Sequence, residues 1–534
     1  MSASGTPNMS NPCPTCGISS ATRPPKIYPL LPAETLDSNF MLPTDQTRDY
    51  SKAVVEMEVE IMRLDGEMCR LRQVMDSLAR ERQNLAQSLD EHRSLVAPIR
   101  GIPQEILSEI FSHCIGNLPG IEGDSAPMLL TFVYSRWRRV VISSPALWSN
   151  IYVAYDRPSV NMLEIWLARS GIFPLRLTVE SKNKNNNVIR SLIPYSHRWH
   201  TVMLSLHPEQ YRVLAPIAGN VPILESLTLS VTDDFNKPLT IFEAAPRLHS
   251  VRLLRSKPSD WRLPWLQLRK FQITSFSSSS IELYHLLRRC LYLTHCQFFV
   301  IDDGIPQVST TPLMHSHLRS LKFTLWTETP DFHRFFDILT LPALQDLDLQ
   351  LRSSQPITFN TSLLYLLQRS SCNLQRVSLR IQWTDDELIV FLQELRSVVE
   401  LSIYENSQSV LTEQVLKRMT PDIYGSTSSS LPLLVPALKR LTLSAHFDLN
   451  DQVILDMVQS RMSLLSLCPV AERPNPVESL EFVALDISRK ITPGTISQMN
   501  FWLRSGLKVY VRSCRECVVG MEVDNPFDRL GFRW

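Results

Sequence analysis

Glycine is scarce in this chain, 15 of 534 residues, against a usual share of about 7%. Phosphate-cradling loops and dinucleotide folds need glycine where backbone approaches ligand. No G-x-x-x-x-G-K-[ST], G-x-G-x-x-G, H-E-x-x-H or G-x-S-x-G occurs, which argues against an enzyme built on any of these motifs. An excess of one charge is missing too. Lys+Arg 54 against Asp+Glu 53 leaves +1, no field for nucleic acid or an anionic membrane. No apolar run approaches the roughly 18 residues that span a bilayer. The stretch from Met1 to Ser20 lacks a charged-then-apolar leader, so secretion is not expected. Ten cysteines in so long a chain do not make a disulfide scaffold. Reduced thiols in the cytoplasm or nucleus are the expectation.

What is present reads as globular protein, 44% hydrophobic and 20% charged. Its length predicts two or more units. Residues 1–50 are rich in Pro, Ser, Thr and Asn with little apolar periodicity and read as a disordered tail. Over 51–97 a heptad takes over. Its a positions are Val54, Ile61, Met68, Met75, Arg82, Leu89 and Val96. Its d positions are Met57, Leu64, Leu71, Leu78, Leu85 and His92. Four consecutive leucines at d predict a coiled-coil helix, ended by Pro98. The stripe either pairs with a second copy or packs back on its own chain. A parallel pair would match Glu67 with Arg72 but set Glu60 against Asp65 and bring Arg82 into the seam.

Residues 98–155 predict three short helices. Pro103 suits a first helical turn, and Ile106, Leu107, Ile110 and Phe111 follow at helical spacing. Leu129, Val133, Trp137 and Val140 repeat that spacing. Pro145 opens a third helix with Leu147, Trp148 and Ile151 apolar. So small a module holds too little core to stand alone, which predicts that part of its apolar surface faces a partner.

This segment resembles the F-box of a large group of fungal F-box proteins. Their pattern runs L-P-x-E-I-L-x-x-I-F, then V-C-R-x-W-R, then S-x-P-x-L-W. Ile102-Pro-Gln-Glu-Ile-Leu107, Ile110-Phe111, Trp137-Arg138, Ser144-Pro145 and Leu147-Trp148 match it. Ile102 replaces the usual Leu, and Tyr134 stands where Cys is common. The upstream coiled coil, Cys13-x-x-Cys16-Gly17, Trp166-Leu-Ala-Arg-Ser-Gly-Ile-Phe-Pro-Leu175 and His197-Arg-Trp199 are also similar to this group. The resemblance implies docking to the linker subunit of an SCF-type cullin–RING ubiquitin ligase, and through it to a cullin. Ile102, Pro103, Ile106, Leu107, Ile110, Leu147 and Trp148 would be the docking face, with Trp137 in the core.

Residues 156–534 read as one further domain, in which from about residue 200 a motif recurs: apolar, two residues, apolar, one residue, apolar. It appears as Leu224/Leu227/Leu229, Leu248/Val251/Leu253, Leu268/Phe271/Ile273, Leu318/Leu321/Phe323, Leu344/Leu347/Leu349, Leu374/Val377/Leu379, Leu438/Leu441/Leu443 and Val477/Leu480/Phe482. Helix-like stretches, Ile281–Arg289 and Leu363–Ser370 among them, lie between. Spacing and motif fit an irregular leucine-rich-repeat-like solenoid, an α/β architecture. Residues between the leucines would face outward: Arg252, Lys270, Lys322, Asp346, Asp348, Arg376, Arg380, Glu400 and Arg440. Mixed charge on such a wall suits an unknown target protein.

Cys13-x-x-Cys16 and Cys514-x-x-Cys517 have the spacing of a four-thiolate zinc site, but nothing in the sequence brings the two pairs together, so no metal is expected. His295-Cys296 near Cys290, and His315-x-His317, read as structural. Asp385-Asp-Glu387 reads as a helix start. No cofactor is implied. The sequence therefore predicts a non-enzymatic substrate receptor, with a coiled-coil and repeat scaffold that binds no ligase as the alternative.

Overall fold

In the computed structural model Thr44–Leu95 form one α-helix of 52 residues, α1. The described residues are 44–115, 126–153, 160–181, 185–231, 237–274, 280–301, 311–327, 333–351, 360–380, 383–404, 412–421, 432–445, 450–467, 477–487, 489–513 and 516–519. The helix begins seven residues before the heptad pattern, so 44–50 are helical rather than tail; the rest of the expected tail lies outside the described residues. It stops at Leu95, and Pro98 opens a short 3₁₀ turn, Pro98–Arg100, because proline fits a first turn but not an interior. Two compact units divide at residues 103 and 104. The first holds α1.

The second unit opens with α2, Gln104–Cys114, and α3, Ser135–Ile142. The expected middle helix is shorter than its apolar spacing predicts. Tyr134 has φ −164° and ψ 168°, an extended residue that separates a 3₁₀ turn, Leu129–Phe132, from α3. Leu129 and Val133 therefore leave the stripe and stand exposed. The third expected helix is a 3₁₀ turn, Pro145–Trp148. Ile151 is not part of it: Asn150–Val153 is the first strand of the sheet.

The remainder is mixed α/β with a large parallel sheet. Of seventeen strands among the described residues, fifteen form this sheet in chain order, and the other two, Leu313–Met314 and Leu339–Thr340, pair with each other. Pairing is parallel throughout except for the last strand, Glu516–Val519, which runs antiparallel to Lys508–Ser513. Parallel neighbours require a crossover. Helices such as Ser280–Arg289, Asn360–Ser370 and Asp385–Glu394 supply it. Thr384 caps the last of these, its Oγ accepting from Glu387 N–H while Glu387 Oε2 accepts from Thr384 N–H at 2.8 Å, the N-terminus that the acidic triplet predicts.

Register lines up one apolar row across the sheet. It runs Ile151, Leu177, Val202, Leu227, Val251, Phe271, Cys296, Leu321, Leu347, Val377, Leu401, Leu441, Val483 and Val509. All are buried. Cys296 and Leu401 fill the two gaps left by the sequence motif. The final motif is also displaced: Leu480, Val483 and Leu485 point inward, whereas Phe482 pairs with Arg440 on the outer row.

Three arginines close the connections. Arg198 and Arg369 lie in the last turn of a helix or 3₁₀ turn, and Arg461 inside the helix Asp451–Leu467. Each donates to carbonyl groups of an adjacent connection, which satisfies oxygens that have no ladder partner. Arg369 Nη2 donates to Phe336 O at 2.8 Å and Nε to Leu339 O at 3.0 Å. Arg461, fully buried, donates to Met419 O, Leu434 O and Val435 O. Burial pushes its guanidinium down to about 10, and it stays charged at neutral pH. The third, Arg198, belongs to the site below.

In α1, a Cβ built on Gly66 meets nothing within 4 Å. Gly66→Ala should therefore raise helicity at 222 nm and stabilise the helix by about 1 kcal/mol; an unchanged melting curve would contradict a continuous helix through residue 66.

Candidate interaction sites

The motif residues of the helical module divide into an interior and an exterior. Leu107, Phe111, Leu147 and Trp148 are at most 2% exposed. Phe111 meets Trp137 edge-on at 4.9 Å, so Trp137 belongs with the core. Trp148 Nε1 donates to Val141 O at 2.8 Å, and its ring meets Trp166 edge-on at 5.3 Å. Arg169, on the helix Val160–Arg169 (α4), covers the Trp148 ring at 4.4 Å. Gln104 Nε2 donates to Ser143 Oγ, and Ser108 Oγ to Ser144 Oγ, joining α2 to the turn after α3.

Leu107, Leu147 and Trp148 are thus removed from the expected docking face, because a side chain already packed on its own module has no surface to offer. Ile106 and Ile110 remain, 53% and 40% exposed, one turn apart on α2. Leu129, Phe132, Val133 and Ile142 add exposed apolar side chains from the same module. Of the two expected residues in the first unit, Ile102 is half-buried and Pro103 exposed.

Two further motifs meet through Arg198. Its Nε donates to Phe173 O at 3.0 Å, and its Nη2 to Phe173 O and Ser170 Oγ, both at 2.8 Å. Burial lowers its pKa from the ordinary arginine value, yet guanidinium holds its proton. Gly171 turns the chain at φ +54°, a conformation glycine adopts without a Cβ clash. Trp166-Leu-Ala-Arg-Ser-Gly171 and His197-Arg-Trp199 therefore build one turn, whose tip presents Ile172 at 92% exposure.

The outer face of the sheet gathers the expected target-binding residues into rows. Lys270, Asp346, Arg376, Glu400 and Arg440 stand at equivalent positions, and Arg252, Lys322 and Asp348 lie in the next row. Most of these charges pair with one another. Arg376 meets Asp346 at 2.6 Å, Lys322 meets Asp348 at 2.8 Å, and Arg440 lies 3.7 Å from Glu400. Arg252 Nε donates to Gln272 Oε1 at 2.6 Å. Arg380 covers the ring of Tyr404 at 5.3 Å, and Arg440 that of Phe482 at 4.5 Å. Such cross-strand pairs stabilise the sheet by a few tenths of a kcal/mol to about 1 kcal/mol each.

At the edge where the strands begin, charge is arranged differently. An open groove of about 840 Å³ is lined by Leu266, Arg269, Tyr292, Thr294, His317 and Arg319, among others. Backbone bonds from Thr294 N to Arg269 O and from Arg319 N to Thr294 O place these three on successive strands. Strands lie about 4.8 Å apart, so the two arginines start roughly 10 Å apart. Among the described residues neither Arg269 nor Arg319 has an ion-pair partner. Tyr292 stacks edge-on against His317 at 5.4 Å and is half exposed. Sequence reading missed this groove because Arg269 and Arg319 occupy the first variable position of the motif, whereas only later positions are expected to face outward, and Tyr292 and His317 fall just before it.

The His/Cys candidates are structural. Cys290 and Cys296 are buried, and burial raises both thiols, Cys290 to about 12. His315 Nε2 donates to Cys290 O at 2.7 Å, and burial holds its pKa below the ordinary histidine value. Among the described residues no group of three or more His, Cys, Asp or Glu could hold a metal. Cys13, Cys16 and Cys514 lie outside the described residues, as does the side chain of Cys517. No described helix is long and apolar enough to cross a membrane.

Arg198→Met should lower stability by about 2–4 kcal/mol, since it leaves Ser170 O and Phe173 O without their charged donor; urea unfolding followed by tryptophan fluorescence measures it. No protein-family model matches the chain, and no curated protein matches it, so the functional reading rests on these residues.

Proposed function

We propose that this chain is a substrate-recognition adaptor of an SCF-type cullin–RING ubiquitin ligase, with an F-box spanning α2, α3 and the 3₁₀ turns around them. The observation that carries the reading is the exposure of Ile106 and Ile110 on a module whose Leu107, Phe111, Leu147 and Trp148 are interior. The segment keeps the F-box order of residues while leaving one apolar face for a partner. The sheet and its helices are a leucine-rich-repeat-like solenoid that holds the target protein, and the ligase gains proximity and orientation from it. The chain itself performs no chemistry.

The target seat is the edge groove rather than the sheet face. Charges on the face are largely neutralised by their neighbours, whereas Arg269 and Arg319 are open beside the apolar ring of Tyr292. That combination suits an acidic segment carrying an apolar side chain.

Co-purification with the ligase linker subunit tests the docking half. Ile106→Asp with Ile110→Asp should weaken capture roughly 30-fold, the effect of losing about 2 kcal/mol at an interface centre, with no change in melting temperature. Leu107→Ala is the contrasting variant: it should cost about 2–5 kcal/mol of stability as a core truncation. A folded wild type that fails to bind the linker would leave the scaffold reading in its place.

The target half is tested with a fluorescent Glu/Asp-rich peptide containing one tyrosine. Arg269→Ser with Arg319→Ser should reduce its binding about tenfold or more, and added salt should weaken the wild type further. Equal binding by both proteins sinks the groove assignment.

A further inference from the structure

We infer that two copies of this chain associate through α1 as an antiparallel coiled coil, in one register. The seam is open along its length: Val54, Ile61, Leu64, Met68, Met75, Leu78, Leu85 and Leu89 are each between 48% and 69% exposed. A stripe sustained over more than four heptads needs a cover of the same length and pattern. A second α1 has both.

Charge decides the direction. In a parallel, in-register pair Arg82 meets the partner's Arg82 inside the seam, His92 meets the partner's His92, and Glu60 meets the partner's Asp65 on both flanks. The one favourable flank pair, Glu67 with the partner's Arg72, is already weakened. Glu67 is held by its own helix's Arg70 at 2.9 Å, as Glu60 is held by Arg63 at 2.7 Å.

Running one helix the other way removes every conflict when Met75 lies across from the partner's Leu78. Met68 then meets the partner's Leu85, Leu64 the partner's Leu89, and Met57 the partner's Val96. The two polar seam residues each face an aliphatic one: Arg82 the partner's Leu71, and His92 the partner's Ile61. Both can carry their polar ends out past the edge of the seam. On the flanks Glu58 meets the partner's Arg93 twice over. Asp65 and Arg72 face alanines, and Glu60, Glu67 and Glu81 face Leu95, Ser88 and Val74 of the partner subunit. No like charges touch.

Neighbouring registers fail. A slip of one heptad in one direction sets Glu67 against the partner's Glu81 and Arg72 against the partner's Arg72. The opposite slip sets Glu81 against the partner's Glu81. Like-charge contacts of this kind are what select register and orientation in coiled coils. In the favoured register the two Leu95 ends lie about 55 Å apart along the pair at 1.5 Å per residue. A parallel pair would bring them within about 10 Å.

Cross-linking of the full chain tests both direction and register, in a Cys69→Ser background because Cys69 is exposed on the same helix. An equimolar mixture of Ile61→Cys and differently tagged His92→Cys chains should form a mixed disulfide dimer under mild oxidation. Its yield should be about tenfold above that of Ile61→Cys alone, because only in the mixture do the two thiols meet within disulfide reach. Sedimentation should give twice the 61.2 kDa chain mass. Leu71→Asp with Leu78→Asp should return it to one chain mass while binding of the linker subunit stays as it was. Self-linking by Ile61→Cys would mean a parallel pair. A wild type at one chain mass would mean that another chain, or none, covers the stripe. Dimers without the mixed cross-link would mean another register. Each of these overturns the inference, and none bears on the adaptor reading.

Discussion

A strand that pairs only with its chain neighbours can bury its apolar side chains only if every neighbour supplies one at the same height. That constraint organises the second unit. The inward row from Ile151 to Val509 passes through fourteen strands without a polar residue, and the crossover helices close over it. Aromatic side chains thicken the row in the middle, where Phe271, Phe298, Phe323, Phe335 and Phe336 contact one another in sequence. What the row cannot satisfy is the backbone of the connections, where helices end and no ladder partner exists. Arg198, Arg369 and Arg461 meet that need with one fork of donors each, which explains why two of them, Arg198 and Arg461, are buried despite their charge.

Much of this was legible. The motif placed seven of the fifteen sheet strands, missing the three that precede residue 224 and the two after residue 500. The heptad placed the end of α1 within two residues and its start seven residues late. Most misses have physical causes. Cys296 and Leu401 complete the row: a cysteine at the central position hides the first repeat, whereas Val398/Leu401/Ile403 satisfies the apolar pattern and is missed all the same. Val477/Leu480/Phe482 satisfies the apolar pattern three residues early, and only the pairing of Val483 with Leu441 fixes the register. In the helical module, apolar spacing cannot tell an inward residue from an outward one. Leu107 and Ile106 are adjacent and equally greasy, yet one is in the core and the other in solvent. Tyr134, extended where a helix was expected, shows a local choice of backbone overriding a periodic signal.

The helical module and the sheet share interior residues. Trp148 packs on Trp166, Arg169 lies over Trp148, and Ile151 opens the apolar row. On the adaptor reading, the surface that meets the ligase and the surface that meets the target therefore belong to one continuous core, with no hinge between the module and its first strand. Orientation is then set by the fold. This also answers how three short helical segments hold together: the sheet supplies the core they lack.

Strand order also dictates how the second unit can be made. Each strand of the fifteen-stranded sheet after the first finds its pairing edge already synthesised, because a partner precedes it in the chain. The strands of this sheet can therefore add one after another as the chain leaves the ribosome. At roughly 5–20 residues per second, the helical module and its first strand would be complete several seconds before Arg319 is translated. On the adaptor reading, a nascent chain could thus meet the ligase before it is able to hold a target.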